Sequence, residues 1–141
     1  TRAQMMLGSR ANGSVYLRCQ APVGSRFMLP VEGGVVFVTD KEIRLHPDNI
    51  KQGGSINDLR FLARTPQGLV AACVRQPRRD LLLLVTDSEL HVIDLQGNAR
   101  VVKIAELRHK ASGIAANFRC ATIWCRRHNN DAVTVHVVDF R

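Results

Sequence analysis

Cys120, Cys125 and His128 stand close together, with His136 a little further on, and make a group of Cys and His side chains in which a metal site is the first chemistry to test. Zinc ligands usually come in tight pairs such as Cys-x-x-Cys presented from a turn. Here the two cysteines are five residues apart on or beside one apolar, strand-like segment, and an odd spacing points them to opposite faces. With Cys19 and Cys73, which also sit in apolar stretches, they read as small core thiols of a reducing compartment, and no metal or other cofactor is expected. His91 and His136 are flanked by aliphatics, and each is followed three residues on by an aspartate, Asp94 or Asp139. No Ser or Cys nucleophile is tied to either by spacing, so each reads as a buried or half-buried structural histidine satisfied by hydrogen bonds. Gly33-Gly34 and Gly53-Gly54 are isolated pairs suited to turns or close backbone approach, not a phosphate-binding loop. With no recurring pair of carboxylates either, the chain is expected not to be an enzyme.

Charge is the stronger signal. Twenty Lys and Arg against twelve Asp and Glu leave a net charge of +8, which favours an acidic partner, either a protein surface or a nucleic acid. The basic residues group at Arg75, Arg78 and Arg79, at Arg126 and Arg127, and at Arg108 and Lys110. Arg75, Arg78, Arg79, Arg126 and Arg127 are the candidate contact residues for other protein subunits or, through basic loops, for RNA. Aromatic side chains for stacking on bases are scarce: Tyr16 stands alone near the N-terminus, and Trp124 is expected in a core strand.

The elements that position these residues are legible in a repeat. Val35 to His46 aligns with Leu82 to Ile93, 47 residues on, through Val38-Thr39-Asp40-Lys41-Glu42 and Val85-Thr86-Asp87-Ser88-Glu89. Glu89 to Asp94 is echoed after a further 45 residues by Thr134 to Asp139, which puts His91 and His136 at equivalent places. A period in the mid-forties is that of a four-stranded propeller blade. Val, Ile, Leu and Thr dominate the periodic segments, with Gly, Pro, Asn and Asp between them, and no sustained helical pattern intervenes.

The fold class is therefore all-β: about three consecutive four-stranded blades of a WD-like β-propeller, expected to be a fragment of a larger one. Residues 1–141 form the partial propeller, with blades at about 14–64, 68–107 and 112–141. The middle unit has strands at Leu69 to Arg75, Leu81 to Val85, Glu89 to Leu95 and Ala99 to Leu107. The third has strands at Gly113 to Arg119, Cys120 to Arg127 and, after the turn His128 to Asp131, Ala132 to Phe140, with no fourth. The first is less regular, with strands at Val15 to Cys19, Phe27 to Val31, Val35 to Thr39 and Glu42 to Leu45, then a long connection through Gly53-Gly54 to Leu59 to Leu62. Leu81 to Val85 is continuously apolar, so both faces of that strand are expected to be buried. Apolar runs of this length fall far short of the roughly 18 residues a membrane span needs, and no membrane partner is expected. This topology sends Arg78 and Arg79 to one end of the array and Arg126 and Arg127 to the other, giving two patches in place of one track.

Phe27-Met28-Leu29-Pro30-Val31-Glu32-Gly33-Gly34-Val35-Val36-Phe37-Val38, followed by Glu42-Ile43, resembles a segment of one propeller family. That family includes the large subunits of the damaged-DNA-binding complex and of the cleavage and polyadenylation specificity factor, and the propeller subunit of the splicing branch-site complex. The likeness runs from about Ser25 onward. Only Glu32 separates Pro30-Val31 from Gly33, where family members have a longer Pro-containing stretch, and Ile93-Asp94 and Val138-Asp139 stand where ordinary WD repeats have Trp-Asp.

The resemblance implies a non-catalytic scaffold that holds other subunits of a nuclear complex. Two of the three resembled subunits work on RNA and the charge is positive, so pre-mRNA 3′-end processing or splicing is the leading expectation, with a cullin ubiquitin-ligase adaptor as the alternative. A different class is a self-contained pleckstrin-like or polo-box-like module that binds anionic lipid or phosphopeptide through Arg78, Arg79, Arg126 and Arg127. Such a module needs a packed helix, and Ile104 to Ala116, interrupted by Ser112-Gly113, makes a poor one.

Overall fold

The computed structural model describes residues 4–8, 15–48, 59–97, 99–126 and 133–140. Thirteen strands occupy them: β1 (Gln4–Gly8), β2 (Val15–Gln20), β3 (Phe27–Val31), β4 (Gly34–Val38), β5 (Glu42–Pro47), β6 (Arg60–Arg64), β7 (Leu69–Val74), β8 (Leu81–Thr86), β9 (Glu89–Asp94), β10 (Val101–Glu106), β11 (Gly113–Ala116), β12 (Cys120–Arg126) and β13 (Val133–Asp139). Every pairing is antiparallel and joins neighbours in sequence, which gives sheet I (β3-β4-β5-β6), sheet II (β7-β8-β9-β10) and sheet III (β11-β12-β13). The expected all-β class holds.

The expected first unit, 14–64, divides. Its four-stranded sheet starts at Phe27, and Val15–Gln20 pairs instead with Gln4–Gly8, a strand the sequence pattern did not mark. The Gly53-Gly54 connection and the turn from His128 to Asp131 lie outside the described residues.

The sheets stack face to face, and β8 shows why an unbroken apolar run is needed. Leu82 and Leu84 join Val36, Val38 and Ile43 in a core between sheets I and II. Leu83 and Val85 turn the other way and join Leu90, Ile114, Ala121, Ile123 and Cys125 between sheets II and III. Leu82 to Leu84 are fully buried, and each leucine contributes about 1.5 to 3 kcal/mol before chain entropy is set against it. The first copy repeats the arrangement: Val36 and Val38 face sheet II, while Phe37 packs with Ala21 and Leu59 on the far side.

The sequence repeat is also a repeat of hydrogen bonds. In the β4–β5 turn, Thr39 Oγ1 accepts from the amides of Lys41 at 3.2 Å and Glu42 at 3.0 Å. In the β8–β9 turn, Thr86 Oγ1 accepts from those of Ser88 at 3.4 Å and Glu89 at 3.1 Å. A threonine that satisfies the turn's own backbone is what makes the shared Thr-Asp-x-Glu string a hairpin signal. Both outer strand pairs carry a bulge at the same place, which leaves Leu62 and Ile104 as the extra residues and tightens the local twist.

The Gly pair of the first repeat has two separate duties. Gly33 takes a φ of 88° in the β3–β4 turn, whereas a Cβ on Gly34 would collide with the backbone carbonyl of His46 on β5.

Candidate functional site

Antiparallel connections place the turns at two opposite ends of the strand array. One end carries the β3–β4 turn at Glu32-Gly33, the β7–β8 loop from Arg75 to Asp80, the β9–β10 turn at Gln96-Gly97, and the β11–β12 turn at Asn117-Phe118-Arg119. The other carries Thr39 to Lys41, Thr86 to Ser88, Leu107 to Ser112 and the C-terminal end of β12 at Arg126.

The β7–β8 loop is tightly built. Arg79 donates its amide to the carbonyl of Arg75 at 2.8 Å, and Arg79 itself has a φ of 56°. Its carbonyl accepts from the amide of Glu32 at 2.8 Å, which ties the loop to sheet I. Arg75 Nε donates to Asp80 Oδ1 at 3.1 Å, its second guanidinium nitrogen bonds Oδ2, and its guanidinium lies 5.5 Å from the ring centroid of Phe140. Asp80 is buried, and the hydrogen bonds from Arg75 hold its carboxyl below the usual carboxylate range against the opposing effect of burial. Arg75 therefore fixes the loop and the end of β13 with its charge engaged. Arg78 and Arg79 stand exposed.

Arg126 is exposed at the opposite end, with its amide bonded to Ser112 Oγ at 3.3 Å. Arg127 lies outside the described residues, as does His128. The structure thus brings Arg78 and Arg79 together and separates them from Arg126. Lys110 reaches Asp87 across sheets II and III at 3.8 Å.

Sequence reasoning missed the other basic and aromatic groups at the first end. Phe118 is 65% exposed, and Arg119 beside it is exposed too. The sequence pattern runs a strand through both to Arg119, whereas β11 stops at Ala116. The signal was Asn117, whose Oδ1 accepts from the amides of Arg119 at 2.8 Å and Cys120 at 3.0 Å and so closes an Asx turn.

Next to these loops the innermost strands of the three sheets leave a cleft of about 290 Å³. Leu29 and Pro30 of β3, Ala72 to Val74 of β7, Ile114 to Ala116 of β11, and Gln76 at the start of the basic loop line it. Cys73 is one wall, and burial pushes its thiol up to about 12, which leaves it inert as a nucleophile near neutral pH.

The remaining chemistry-bearing residues divide. Cys125 is buried in the core between sheets II and III, and burial raises its pKa. Cys120, on the same strand, is only half-buried. Among the described residues no three His, Cys, Asp or Glu side chains converge as a metal site. His91 Nε2 lies 3.3 Å from Glu89 Oε1, as expected of a satisfied structural histidine. His136 corrects that expectation: its Nε2 is buried with no hydrogen-bond partner, as is that of His46. The reason lies two residues earlier, where the third repeat has Thr134 in place of a glutamate. Trp124 is a second correction. It is 39% exposed, because β12 turns Ala121, Ile123 and Cys125 inward and Trp124 outward, over Gly113 of β11.

No protein family matches the chain, and no curated protein does. Among solved structures it is similar to the N-terminal domain of Nup159, a β-propeller, with a TM-score of 0.60 at 8% identity. The match covers 92% of this chain and 34% of that one, so the chain spans about a third of the length of the structure it matches. Stacked antiparallel sheets and this likeness support a propeller-like fold.

Proposed function

We propose that sheets I, II and III are consecutive blades of a larger β-propeller, and that the protein is a non-catalytic scaffold holding other subunits of a nuclear multisubunit complex. The assembly class we favour is pre-mRNA 3′-end processing or splicing. The observation that carries the scaffold reading is the shared architecture of the stack: two successive face-to-face cores set out basic loops at both ends, and among the described residues neither end gathers a nucleophile, a general base and a cleft. The nuclear, RNA-linked setting draws on the net charge of +8 and on the family resemblance of the segment from Phe27 to Ile43. A self-contained lipid- or phosphopeptide-binding module is the weaker reading, because the described residues offer no helix to pack against the sheets.

The test is affinity capture of the protein from its source cells, with and without nuclease, followed by identification of what is bound. Polyadenylation or splicing subunits that survive nuclease are the expected recovery. A cullin would move the protein to the ligase-adaptor branch, and an absence of stable protein partners would remove the scaffold reading.

A further inference from the structure

The cleft at the inner edge of the stack and the basic loops beside it are separate features in sequence that the fold makes adjacent. Gln76 lines the cleft and opens the loop that carries Arg78 and Arg79. Ala116 lines it and is followed directly by Asn117-Phe118-Arg119. Three exposed guanidinium groups and one exposed phenyl ring thus spring from the rim of an apolar cleft. None of the described ion pairs engages Arg78, Arg79 or Arg119, in contrast to Arg75. The acid at the nearby β3–β4 turn, Glu32, accepts from Gln96 Nε2 at 2.8 Å.

The walls decide what kind of ligand fits. Their side chains are mostly aliphatic and small, and about 290 Å³ has room for a Leu- or Phe-sized side chain and stands at the lower edge of the range of small-molecule sites. A nucleic acid would need flat aromatic faces on which bases stack, and Phe118 is a single such face. The strands that supply the walls, β3, β7 and β11, are the innermost edges of their sheets, and in each sheet they pair on one side only. Apart from the Leu69 carbonyl of β7, which accepts from Arg26 Nη1 at 2.8 Å, these edges lack a second strand partner, and an extended backbone can pair along such an edge.

We propose that the cleft between β3, β7 and β11, with Arg78, Arg79 and Arg119 at its rim, is a docking site for an extended acidic peptide that inserts one aliphatic or aromatic side chain. Its setting rests on the scaffold reading, but the choice of assembly does not enter. The apolar side chain supplies the anchor and the flanking carboxylates meet the arginines, so the site selects for the two features together.

The test uses the intact chain and a fluorescein-labelled synthetic peptide with a Leu-Phe pair set between runs of Asp and Glu. Three further probes accompany it: the same peptide with Ser for the apolar pair, the same peptide with Asn and Gln for the acids, and a single-stranded RNA oligonucleotide. The acidic, apolar peptide is expected to bind at least tenfold more tightly than either altered peptide. Arg78→Glu with Arg79→Glu should weaken it at least tenfold and flatten its salt dependence. Ala115→Trp, at an exposed position in the cleft wall, should weaken it without changing the salt dependence, and Arg126→Glu at the opposite end should leave it alone.

Gln76→Trp fills the exposed mouth and serves if Ala115→Trp lowers the thermal midpoint. Equal binding of the Ser-substituted peptide, tighter binding of the RNA, or indifference to both cleft-filling variants would each overturn the proposal. Affinity capture can return subunits while this peptide fails to bind, and the reverse, so the two readings fail separately.

Discussion

Sheets II and III share a strand pattern and differ in what covers them. Leu84 lies opposite His91 and Ile123 lies opposite His136, so the two sheets can be aligned residue by residue. Leu83, Val85 and Leu90 of sheet II are then the counterparts of Thr122, Trp124 and Val135 of sheet III. The first three are fully buried against sheet III, while Trp124 is 39% and Val135 53% exposed. Val137, the counterpart of the half-buried Val92, is 61% exposed. The apolar character of these positions belongs to the repeat, and burial belongs to having a neighbour. An apolar strand in such an array marks a face that can be covered, and only the next layer determines whether it is.

The largest difference should come from truncating one side chain on a covered face and one on an uncovered face. Leu84→Ala in sheet II is expected to cost about 2 to 5 kcal/mol, because the side chain is fully enclosed and leaves a cavity. Trp124→Ala in sheet III should cost less, roughly 1 to 2 kcal/mol despite the larger side chain, since part of its surface already meets solvent. Urea titration of both variants measures the contrast. Equal costs would mean that the outer face of sheet III is covered in solution.

A smaller effect separates the sheets by pH. Asp80 closes the β7–β8 loop of sheet II, and its pKa is lowered chiefly by the hydrogen bonds from Arg75. A carboxyl depressed in the folded state stabilises the fold above its unfolded value near about 3.9, and the contribution is lost as the pH falls through the folded value. The thermal midpoint of the chain should therefore drop across that acidic window, and Asp80→Asn should be less stable at neutral pH and lose part of the acid dependence. The corresponding turn of sheet III is held by the uncharged Asn117 and gives no such slope.

The smallest difference is in thiol chemistry and needs no substitution. Cys73, with its pKa near 12, should resist iodoacetamide at pH 8 until the chain is unfolded by urea. Mass spectrometry of the labelled peptides reads this directly, and rapid labelling of Cys73 in the folded chain would show that the cleft wall opens.

Much of the fold was legible because its signals are local. A strand buried on both faces must be apolar throughout, and Leu81 to Val85 is. A hairpin that satisfies its own turn needs an oxygen at a fixed place, and Thr39 and Thr86 supply it. Gly33 marks a turn because its φ is positive, and Gly34 marks a close approach because a Cβ would meet the His46 carbonyl. The division of Arg78 and Arg79 from Arg126 followed from antiparallel topology alone. Where the sequence misled, two readings were compatible with the same local pattern. Val15–Gln20 has strand composition, but composition does not name a partner, and the pairing with Gln4–Gly8 is a long-range choice. Trp124 alternates correctly along β12, yet alternation cannot say which side is the core. His136 repeats His91 in position but lacks the glutamate that satisfies His91.

The chain's order of residues determined the all-β class, the repeat and its turns, and the excess of positive charge, since each depends on neighbours a few residues apart or on simple counting. Tertiary structure decided which arginine is engaged, which strand face is covered, and that Gln76 and Ala116 meet across one cleft. Those outcomes depend on atoms brought together from residues some forty positions apart, and short-range patterns hold no record of such distances.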